Sequence, residues 1–431
     1  MDGEKNILVF PGGSEVGLEI WKSLRYCKEI RLFSAGSDVS NHAPYVFENH
    51  FIVPNVHSSN NWIDILNEVV SKCEIDYIFP AYDDIIIALV ENADRINASI
   101  ITSPLPTCLI CRSKTKTYNK FKNLLPVPRV YDRLSEIDSF PVFVKFDKGQ
   151  GSQGARRVDD LDTAKLLFKE NPNLIALEYL SGKEYTIDCF THRRKGLLFC
   201  NGRERLRIRS GISMNSKPVD EEINKTFRDY ADIISQELEL HGVWFFQLKL
   251  DSSGTFKLLE IAPRVSGTMA TYRVLGINFP LLSIYEKEGI DIEVMTNGCD
   301  VEIDRALLNR YRHNIRYSKV YVDLDDTLIV NGRVNTQLVG FLYQAIGKGC
   351  KVVLISKAVS DVENVLENWR LKGLFDEVIH LTKDDSKADF IEPNGSIFID
   401  DSFSERKSVF DKHAISTFDC SMIELLIDDK V

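Results

Sequence analysis

Short apolar runs alternate with helix-length segments at both ends of the chain, and this alternation limits the possible folds more than any other feature. The runs lie at 6–10, 30–33, 51–53, 77–80, 319–322, 351–355 and 396–399. Such alternation is typical of parallel sheets covered by helices. We therefore predict one α/β domain over residues 1–103 and another over 317–431.

The middle of the chain, residues 104–308, has a different pattern. Strand-like runs joined by glycine-rich or polar turns lie at 142–146, 157–158, 174–179, 185–190, 196–200, 243–250 and 256–261. Helical segments lie at 160–170 and 219–239. This pattern predicts an α+β domain with antiparallel sheets, and a chain of 431 residues has room for about three domains.

Composition excludes several classes of function. The net charge of −10 argues against nucleic acid or an anionic membrane as the main partner. No apolar run is long enough to span a membrane, and the first residues lack the pattern of a signal peptide. Nine scattered cysteines suggest free thiols and a cytoplasmic location. Cys108 and Cys111 form a C-x-x-C that we interpret as two core thiols, with zinc or redox chemistry as the alternative.

A lysine followed by a glycine-rich loop is the densest signal in the first 300 residues. Lys145 ends a predicted strand, and the loop from Gly149 to Gly154 follows it. Backbone amides of such a loop can surround phosphate oxygens, and the lysine adds a positive charge. A flexible hairpin is the alternative interpretation.

Oxygen ligands follow this loop in the sequence. Glu178 and Glu184 flank a turn between predicted strands, and a turn at 251–254 would bring Gln247 near Glu260. Oxygen ligands that face a phosphate loop are suited to magnesium bound to a nucleotide.

These motifs resemble the ATP-grasp superfamily, in the branch of carbamoyl-phosphate synthetase and biotin carboxylase. The resemblance covers about residues 1–300 and includes Lys114, Lys145, the loop at 149–154, Glu178, Glu184, Gln247 and the segment 260–264. It implies a Rossmann-like pre-ATP-grasp domain over 1–103 and an ATP-grasp domain over 104–308. It also implies ATP and Mg²⁺ as cofactors, and a reaction that joins a carboxylate to an amine or another nucleophile through an acyl phosphate.

The resemblance assigns roles to individual residues. Phosphate contacts are expected from Lys114, Lys145 and the loop residues Gly149, Gly151, Ser152 and Gly154. The adenine is expected at Glu178 and the backbone of Tyr179 and Leu180, the ribose at Glu184, and magnesium at Gln247 and Glu260. Arg264 is expected to stabilise the acyl phosphate.

Three neighbouring features leave alternatives open. Ala262 stands where the family usually has an asparagine ligand, which predicts a weaker metal site or a water in its place. The alternating arginines 203, 205, 207 and 209 would share one face of a strand, to bind an anion or to face solvent. The family resemblance favours Arg205 as a ligand contact, because similar family members carry an arginine there. The turn at 11–17 lacks the dinucleotide spacing, so we interpret it as a tight strand-to-helix turn.

Polar side chains follow all three apolar runs of the last region. They are Asp323 and Asp325, then Ser356, and finally Asp400 and Asp401. Ends of parallel strands meet at one edge of a sheet, so these groups should lie together, with Lys387 nearby. Magnesium would offset the repulsion between the carboxylates. Asp323 could then attack a phosphate, Asp325 could act as acid and base, and Ser356 and Lys387 could hold the phosphoryl oxygens.

These motifs resemble the haloacid-dehalogenase-like phosphohydrolases over residues 317–431. The resemblance implies a Rossmannoid fold, an aspartyl-phosphate intermediate and Mg²⁺ at Asp323, Asp325, Asp400 and Asp401. About 27 residues separate the first two motifs, which leaves no room for a cap domain. An open site that accepts a large phosphate ester is expected.

The two motif sets predict a bifunctional enzyme, an ATP-dependent carboxylate–amine ligase fused to a phosphatase. The alternatives are an ATP-dependent phosphotransferase with a phosphatase domain and a non-catalytic nucleotide sensor, the latter because of Ala262. Expected partners are a small carboxylate, an amine, a phosphate ester and a second copy of the chain in a homodimer.

Overall fold

The computed structural model describes residues 3–149, 154–357 and 361–430. The chain divides into two compact units, Met1–Leu307 and Leu308–Val431. The predicted boundary at residue 103 falls inside the first unit. None of the helices in the described part of the chain has the length and apolar character that crossing a membrane requires.

A parallel sheet begins the first unit, in the order β3-β2-β1-β4-β5. Its strands are β1 (Lys5–Phe10), β2 (Ile30–Gly36), β3 (His50–Ile52), β4 (Tyr77–Pro80) and β5 (Ser99–Ile100). The helices of this part are α1 (Glu15–Leu24), α2 (Ala43–Val46), α3 (Trp62–Lys72), α4 (Asp83–Glu91), α5 (Leu105–Arg112) and α6 (Lys114–Phe121). The four predicted strands are present, and the structure adds the two-residue edge strand β5.

The glycines between β1 and α1 are required by close packing. A Cβ on Gly12 would lie 2.5 Å from the Cβ of Ser34, and one on Gly17 would lie 2.7 Å from the Gly12 carbonyl oxygen. The Ser14 hydroxyl accepts a hydrogen bond from the Gly17 amide and so caps α1. These contacts agree with the tight-turn interpretation of this segment.

Two antiparallel sheets follow in the same unit, in the orders β6-β9-β7-β8 and β14-β13-β10-β11-β12-β15. The strands of the four-stranded sheet are β6 (Val130–Tyr131), β7 (Val142–Phe146), β8 (Arg156–Val158) and β9 (Leu174–Glu178). Those of the six-stranded sheet are β10 (Glu184–His192), β11 (Gly196–Arg209), β12 (Ile212–Pro218), β13 (Gly242–Leu250), β14 (Phe256–Ala262) and β15 (Ile303–Asp304). The accompanying helices are α7 (Leu161–Glu170), α8 (Glu221–Glu237), α9 (Ala270–Arg273) and α10 (Phe279–Lys287).

Strand β11 extends well past the predicted end at residue 200, and β12 was not predicted. The residues from Arg203 onward are mostly polar, so no apolar pattern indicated either strand. Several of them pair with charged partners in the structure. Beneath the six-stranded sheet, Phe227 and Ile234 of α8 are fully buried against Ile187 and Trp244. That packing fixes which side of β10 and β11 faces away from the core.

The second unit contains a parallel sheet in the order β20-β19-β16-β21-β22. Its strands are β16 (Lys319–Val322), β19 (Lys351–Ser356), β20 (Glu377–His380), β21 (Ser396–Ile399) and β22 (Thr417–Phe418), and a small hairpin is formed by β17 (Ile329–Val330) and β18 (Arg333–Val334). Its helices are α11 (Thr336–Gly347), α12 (Val362–Asn368) and α13 (Phe403–His413). The three predicted strands are adjacent in the sheet, with β16 between β19 and β21.

Candidate functional site

A cavity lies between the two antiparallel sheets of the first unit, and we call it the intersheet cavity. Its walls come from β7 and β9 on one side and from β10, β11, β13 and β14 on the other. The predicted residues in its lining are Lys114, Lys145, Gly149, Glu178, Leu180, Glu184, Arg205, Gln247 and Glu260. Residues far apart in the sequence are therefore brought to one cavity.

Two ammonium groups enter this cavity near the Glu260 carboxylate but without a direct ion pair. Lys114 begins α6 and donates to the Gly149 carbonyl oxygen, and Lys145 on β7 donates to the Tyr118 hydroxyl at 3.0 Å. Neither forms an ion pair with a carboxylate among the described residues. Burial is the main cause that lowers the pKa of both lysines. An anion in the cavity would offset the cost of holding these charges away from water.

At one end of the cavity lies a carboxylate oxygen of Glu178 that accepts no hydrogen bond. The Oε1 atom of Glu178 is buried and has no hydrogen bond, although the Lys257 ammonium lies 3.3 Å away. Leu180 lines the cavity beside it, whereas the ring of Tyr179 lies 5.1 Å from the guanidinium of Arg157. An acceptor beside an apolar wall is suited to the amino group of a nucleobase.

Arg205 occupies the centre of a hydrogen-bond network on the cavity wall. It donates to the Glu184 carboxylate, to Gln247 Oε1 at 3.2 Å and to the Gly211 carbonyl oxygen at 2.6 Å. Its Nε atom is buried and has no acceptor in the described residues. Glu184, predicted to hold a ribose, is thus already paired with Arg205 and, at 3.4 Å, with Lys249.

The other three arginines of the alternating run do not join Arg205 in the cavity. Arg203 is buried and donates to Asp188 and Ser266, whereas Arg207 is exposed and pairs with Asp304. Irregular register on both sides of Arg207 breaks the alternation of β11. Arg203 and Arg205 therefore share one face of β11 as predicted, whereas the prediction was wrong for Arg207, and Arg209 faces solvent.

Gln247 and Glu260 lie directly opposite each other on β13 and β14, as the predicted hairpin requires. Glu260 makes no hydrogen bond or ion pair with any described residue, so its carboxylate is available to a cation. Ala262, two residues on, is 7% exposed and offers no ligand atom. The chemistry of this donor set, one free carboxylate and one amide oxygen beside an anion site, fits magnesium.

Arg264 follows this strand and has a partner that the sequence did not reveal. Its guanidinium donates to both carboxylate oxygens of Asp83, the first residue of α4, and to the Val265 carbonyl oxygen. Its Cζ atom also lies 5.1 Å from the centre of the Phe245 ring. Asp83 follows β4 at its carboxyl end, so the rule that we applied to the last region could have selected it.

Two further sequence features have structural outcomes. Gly151 and Ser152 lie outside the described residues, whereas Gly154 has a φ of +67° and leaves no room for a Cβ against the Phe146 ring.

The Cys108 thiol is buried, which raises its pKa to about 11, and burial also raises the pKa of Cys111. Protonated thiols in α5 agree with the core interpretation of the C-x-x-C.

Comparison with known proteins concerns this first unit. Residues 170–303 match a family model described as ATP-grasp in the biosynthetic pathway with Ter operon. A biotin carboxylase from Campylobacter jejuni, solved with βγ-ATP, is similar in structure, with a TM-score of 0.57, 15% identity, and coverage of 68% of this chain and 74% of that one. This unit has the ATP-grasp fold.

Other solved structures share the ATP-grasp fold. The biotin carboxylase domain of Hydrogenobacter thermophilus 2-oxoglutarate carboxylase, a dimer with MgADP, ADP and bicarbonate, has a TM-score of 0.58 and 12% identity, over 69% of this chain and 74% of that one. An L-amino acid ligase from Bacillus licheniformis has a TM-score of 0.51 and 17% identity, over 66% of this chain and 74% of that one. No curated protein matches the sequence.

The second unit holds a separate group of charged side chains at the carboxyl edge of its sheet. The Lys387 ammonium lies 2.6 Å from Asp323 Oδ1, which follows β16, and 2.6 Å from Asp400 Oδ2, which follows β21. All three side chains are buried. The convergence of these groups agrees with their predicted position at one sheet edge.

One carboxyl in this group, that of Asp323, has a pKa near neutral pH. Burial and the Asp400 charge raise the pKa of Asp323 to about 7, and Lys387 opposes the shift. Burial also raises the pKa of Asp400, again against Lys387. Two buried carboxylates share one ammonium here, so an additional cation would be favourable.

Three of the four predicted metal ligands come together. Asp323, Asp400 and Asp401 each offer a carboxylate oxygen, and these oxygens lie within 4.8 Å of one another. Asp325, which was predicted to join them, is exposed and is not part of that group. Ser356 is buried at the end of β19, at the same edge.

The segment between β16 and β19 contains the β17–β18 hairpin and α11 and no inserted domain in its described residues, 323–350. Thr327 Oγ1 donates to Asp401 Oδ1 at 3.2 Å and also accepts from the Asp401 amide at 2.9 Å, which ties the two strand ends together. Thr327 therefore fixes the position of Asp401, and the described residues of this segment form no cap domain over the cluster of aspartates.

Proposed function

We propose that the chain is a two-site enzyme, an ATP-dependent carboxylate–amine ligase in its first unit and a phosphatase in its second. The observation that carries the ligase is the intersheet cavity, where Lys114, Lys145 and Glu260 attract one another but form no ion pair among the described residues, so that an anion can bind the lysines and a cation can bind Glu260. A magnesium nucleotide supplies both charges at once. Two solved structures with the ATP-grasp fold hold βγ-ATP in one case and MgADP, ADP and bicarbonate in the other, which supports this choice.

In the ligase, the side chains bind and orient the nucleotide. Glu178 accepts from the adenine amino group, Lys114 and Lys145 bind phosphate oxygens, and the Nε of Arg205 donates to a further phosphate oxygen. Glu260 and Gln247 would hold magnesium, which neutralises charge on the transferred phosphoryl group.

The reaction follows from these contacts. A substrate carboxylate oxygen attacks the γ-phosphorus, the bond to the β-phosphate oxygen breaks, and ADP and an acyl phosphate form. In this proposal Arg264, which follows the strand bearing Glu260, stabilises the negative charge of that acyl phosphate. An amine then attacks the acyl carbon, loses a proton and displaces inorganic phosphate.

The experiment is a mass-spectrometric survey of products from pooled carboxylates and amines with ATP and Mg²⁺. An amide product together with ADP supports the ligase, and a phosphorylated product without amide supports the phosphotransferase alternative. Tight ADP binding without turnover supports the sensor. Lys145→Met and Glu260→Gln should abolish ADP formation, whereas Lys169→Met on exposed α7 should leave it unchanged.

The phosphatase rests on the buried group formed by Asp323, Lys387 and Asp400. In this proposal Asp323 Oδ attacks the phosphorus of a phosphate ester, the ester oxygen leaves with a proton supplied by Asp325, and water then hydrolyses the aspartyl phosphate. Ser356 and Lys387 hold the phosphoryl oxygens. Release of phosphate from p-nitrophenyl phosphate with Mg²⁺ tests this second activity independently of the first.

A further inference from the structure

An ion pair crosses the carboxyl edge of the sheet in the second unit, close to Asp323. The Lys357 ammonium lies 2.6 Å from Glu405 Oε1. Lys357 directly follows β19, and Glu405 is the third residue of α13, which comes after β21. Because β16 lies between β19 and β21, the pair joins segments that follow two strands about 10 Å apart. The pair therefore crosses the end of β16, the strand that Asp323 follows.

Packing places this ion pair and Asp323 on the same side of the sheet. Tyr321 of β16, Ile355 of β19 and Val409 of α13 belong to one buried cluster. Asp323 and Lys357 follow Tyr321 and Ile355 by two residues, so both project to the side on which α13 packs. The contact between Lys357 and α13 agrees with this direction. A phosphate ester that reaches Asp323 therefore passes close to the ion pair.

The two lysines at this edge of the sheet differ in how firmly they are held. Lys387 is buried and lies between two buried carboxylates, those of Asp323 and Asp400. Lys357 has one carboxylate partner among the described residues, and its side chain is 23% exposed. An ion pair that solvent reaches is weak, because water competes for both charges. Lys357 can therefore leave its partner more easily than Lys387 can leave its two.

A second carboxylate near Lys357 already has other donors. Asp385, in the turn after β20, accepts from the Thr382 amide at 2.8 Å and from the Thr382 hydroxyl at 2.7 Å. These hydrogen bonds are the main cause that lowers the pKa of Asp385, and the charge of Lys357 adds to the shift. Glu405 is thus the carboxylate with which an incoming anion competes for the Lys357 ammonium.

We propose that Lys357 is a substrate-binding residue of the phosphatase site, held by Glu405 until a phosphate ester replaces that carboxylate. The inference rests on the phosphatase activity proposed above. The negative charges of a phosphate monoester attract the ammonium of Lys357 and repel the carboxylate of Glu405, so the ion pair opens as the ester binds. Lys357 then donates to a phosphoryl oxygen, beside Ser356 and Lys387.

The test measures how the full chain binds phenylphosphonate, a phosphate-ester analogue that is not hydrolysed, by isothermal titration calorimetry. ADP and Mg²⁺ are kept saturating so that the intersheet cavity is filled. We expect Lys357→Met to weaken binding about tenfold, the effect of losing one charge-assisted hydrogen bond. Glu405→Gln should tighten binding about two- to fivefold, because it removes the competing carboxylate. Lys407→Met and Asp411→Asn, which break an exposed ion pair on the same helix, are the matched controls and should bind as the wild type does.

Opposite effects of the two variants distinguish substrate binding from a structural role. An ion pair that only joined β19 to α13 would weaken binding in both variants, and that result would overturn the proposal. Unchanged binding in either Lys357→Met or Glu405→Gln would also overturn it. With p-nitrophenyl phosphate, KM should move in the same two directions while kcat changes by less than about twofold. If the wild type releases no phosphate, the proposed phosphatase fails, and the phosphonate titration still decides whether Lys357 binds the anion.

Discussion

Asp83 and Arg264 form a bidentate ion pair that joins the parallel sheet of the first unit to the strand bearing Glu260. The Nε–Oδ1 distance is 2.5 Å and the NH2–Oδ2 distance is 3.1 Å. Both side chains are less than one-fifth exposed. The pair fixes the direction of the guanidinium, since two parallel hydrogen bonds define its plane. Burial opposes it, but Arg264 holds the pKa of Asp83 below its usual value.

We predict that Asp83→Asn lowers the free energy of unfolding of the first unit by about 2 kcal/mol. Breaking a fully buried pair costs about 3–5 kcal/mol, and partial exposure reduces that figure. A double-mutant cycle with Arg264→Met, read from urea denaturation, should give a coupling energy of about 1–2 kcal/mol. The same cycle on Arg129 and Asp138, an exposed pair, should give less than about 1 kcal/mol. Additive effects at Asp83 and Arg264 would show that the pair does not hold the two elements together.

Local sequence patterns predicted much of this site, and tertiary pairing determined the rest. The turn at 251–254 was enough to bring Gln247 near Glu260, but their direct pairing depends on a register shift between Gln247 and Leu248 that no local pattern predicted. Asp83 and Arg264 are 181 residues apart, and no local pattern relates them.

The choice among the alternating arginines shows the same limit. Arg203 and Arg205 are equivalent in the sequence, but the register of β10 against β11 gives Arg203 to Asp188 and Arg205 to Glu184. That register depends on the reversal after His192, and a shift of one residue would exchange the two faces. The arginine pattern therefore predicted a cationic strand but did not distinguish the four residues, and the choice of Arg205, which lines the cavity, came from the family resemblance.

Glu178→Gln should reduce the affinity for ADP more than the affinity for GDP. The buried Oε1 of Glu178 pairs with Lys257 at 3.3 Å but accepts no hydrogen bond, so it can still accept from the adenine amino group, whereas guanine presents a carbonyl oxygen at that position. We expect a loss of about 5- to 50-fold for ADP by isothermal titration calorimetry. Glu204→Gln, which removes a carboxylate paired with exposed Lys183, is the control. Equal losses for both nucleotides would place the base elsewhere.

Ala262→Asn should strengthen the nucleotide-dependent binding of a divalent cation. An asparagine there adds an oxygen donor two residues from Glu260 on β14, on the same side of the strand. Titration with Mn²⁺ in the presence of ADP, followed by electron paramagnetic resonance, should show a severalfold lower dissociation constant. Ala262→Leu adds a similar volume without a ligand atom and should not strengthen binding. If both variants behave alike, the metal lies away from residue 262.

Asp323→Asn should abolish phosphate release from p-nitrophenyl phosphate and leave ADP binding unchanged. An amide oxygen is a poor nucleophile, so we expect a loss of at least about 10³-fold in rate. The variant also leaves Lys387 with Asp400 as its one carboxylate partner in the described group, which keeps the ammonium compensated. Asp411→Asn on the exposed side of α13 is the matched control. Retention of activity in Asp323→Asn would remove this residue as the nucleophile.

The lowered pKa of Glu286 leads us to predict that the first unit loses stability in acid. Burial would raise its pKa, but the His241 ring, whose Nδ1 lies 4.0 Å from Oε1, and the hydrogen bonds from Arg193 lower the pKa of Glu286 from 4.5 to about 2. A carboxyl whose pKa is lower in the folded state stabilises the fold above its unfolded value and loses that contribution as the pH falls. The contribution of Glu286 is therefore complete above pH 4.5 and disappears between pH 4.5 and 2, with a size of about 3 kcal/mol. Urea denaturation at several pH values should show Glu286→Gln less stable than the wild type at pH 6, with the difference shrinking toward pH 2. Glu170→Gln at an exposed position should show a small difference that does not change with pH. A constant gap between the wild type and Glu286→Gln from pH 6 to pH 2 would mean that the ionised carboxylate does not stabilise the fold through Arg193 and His241.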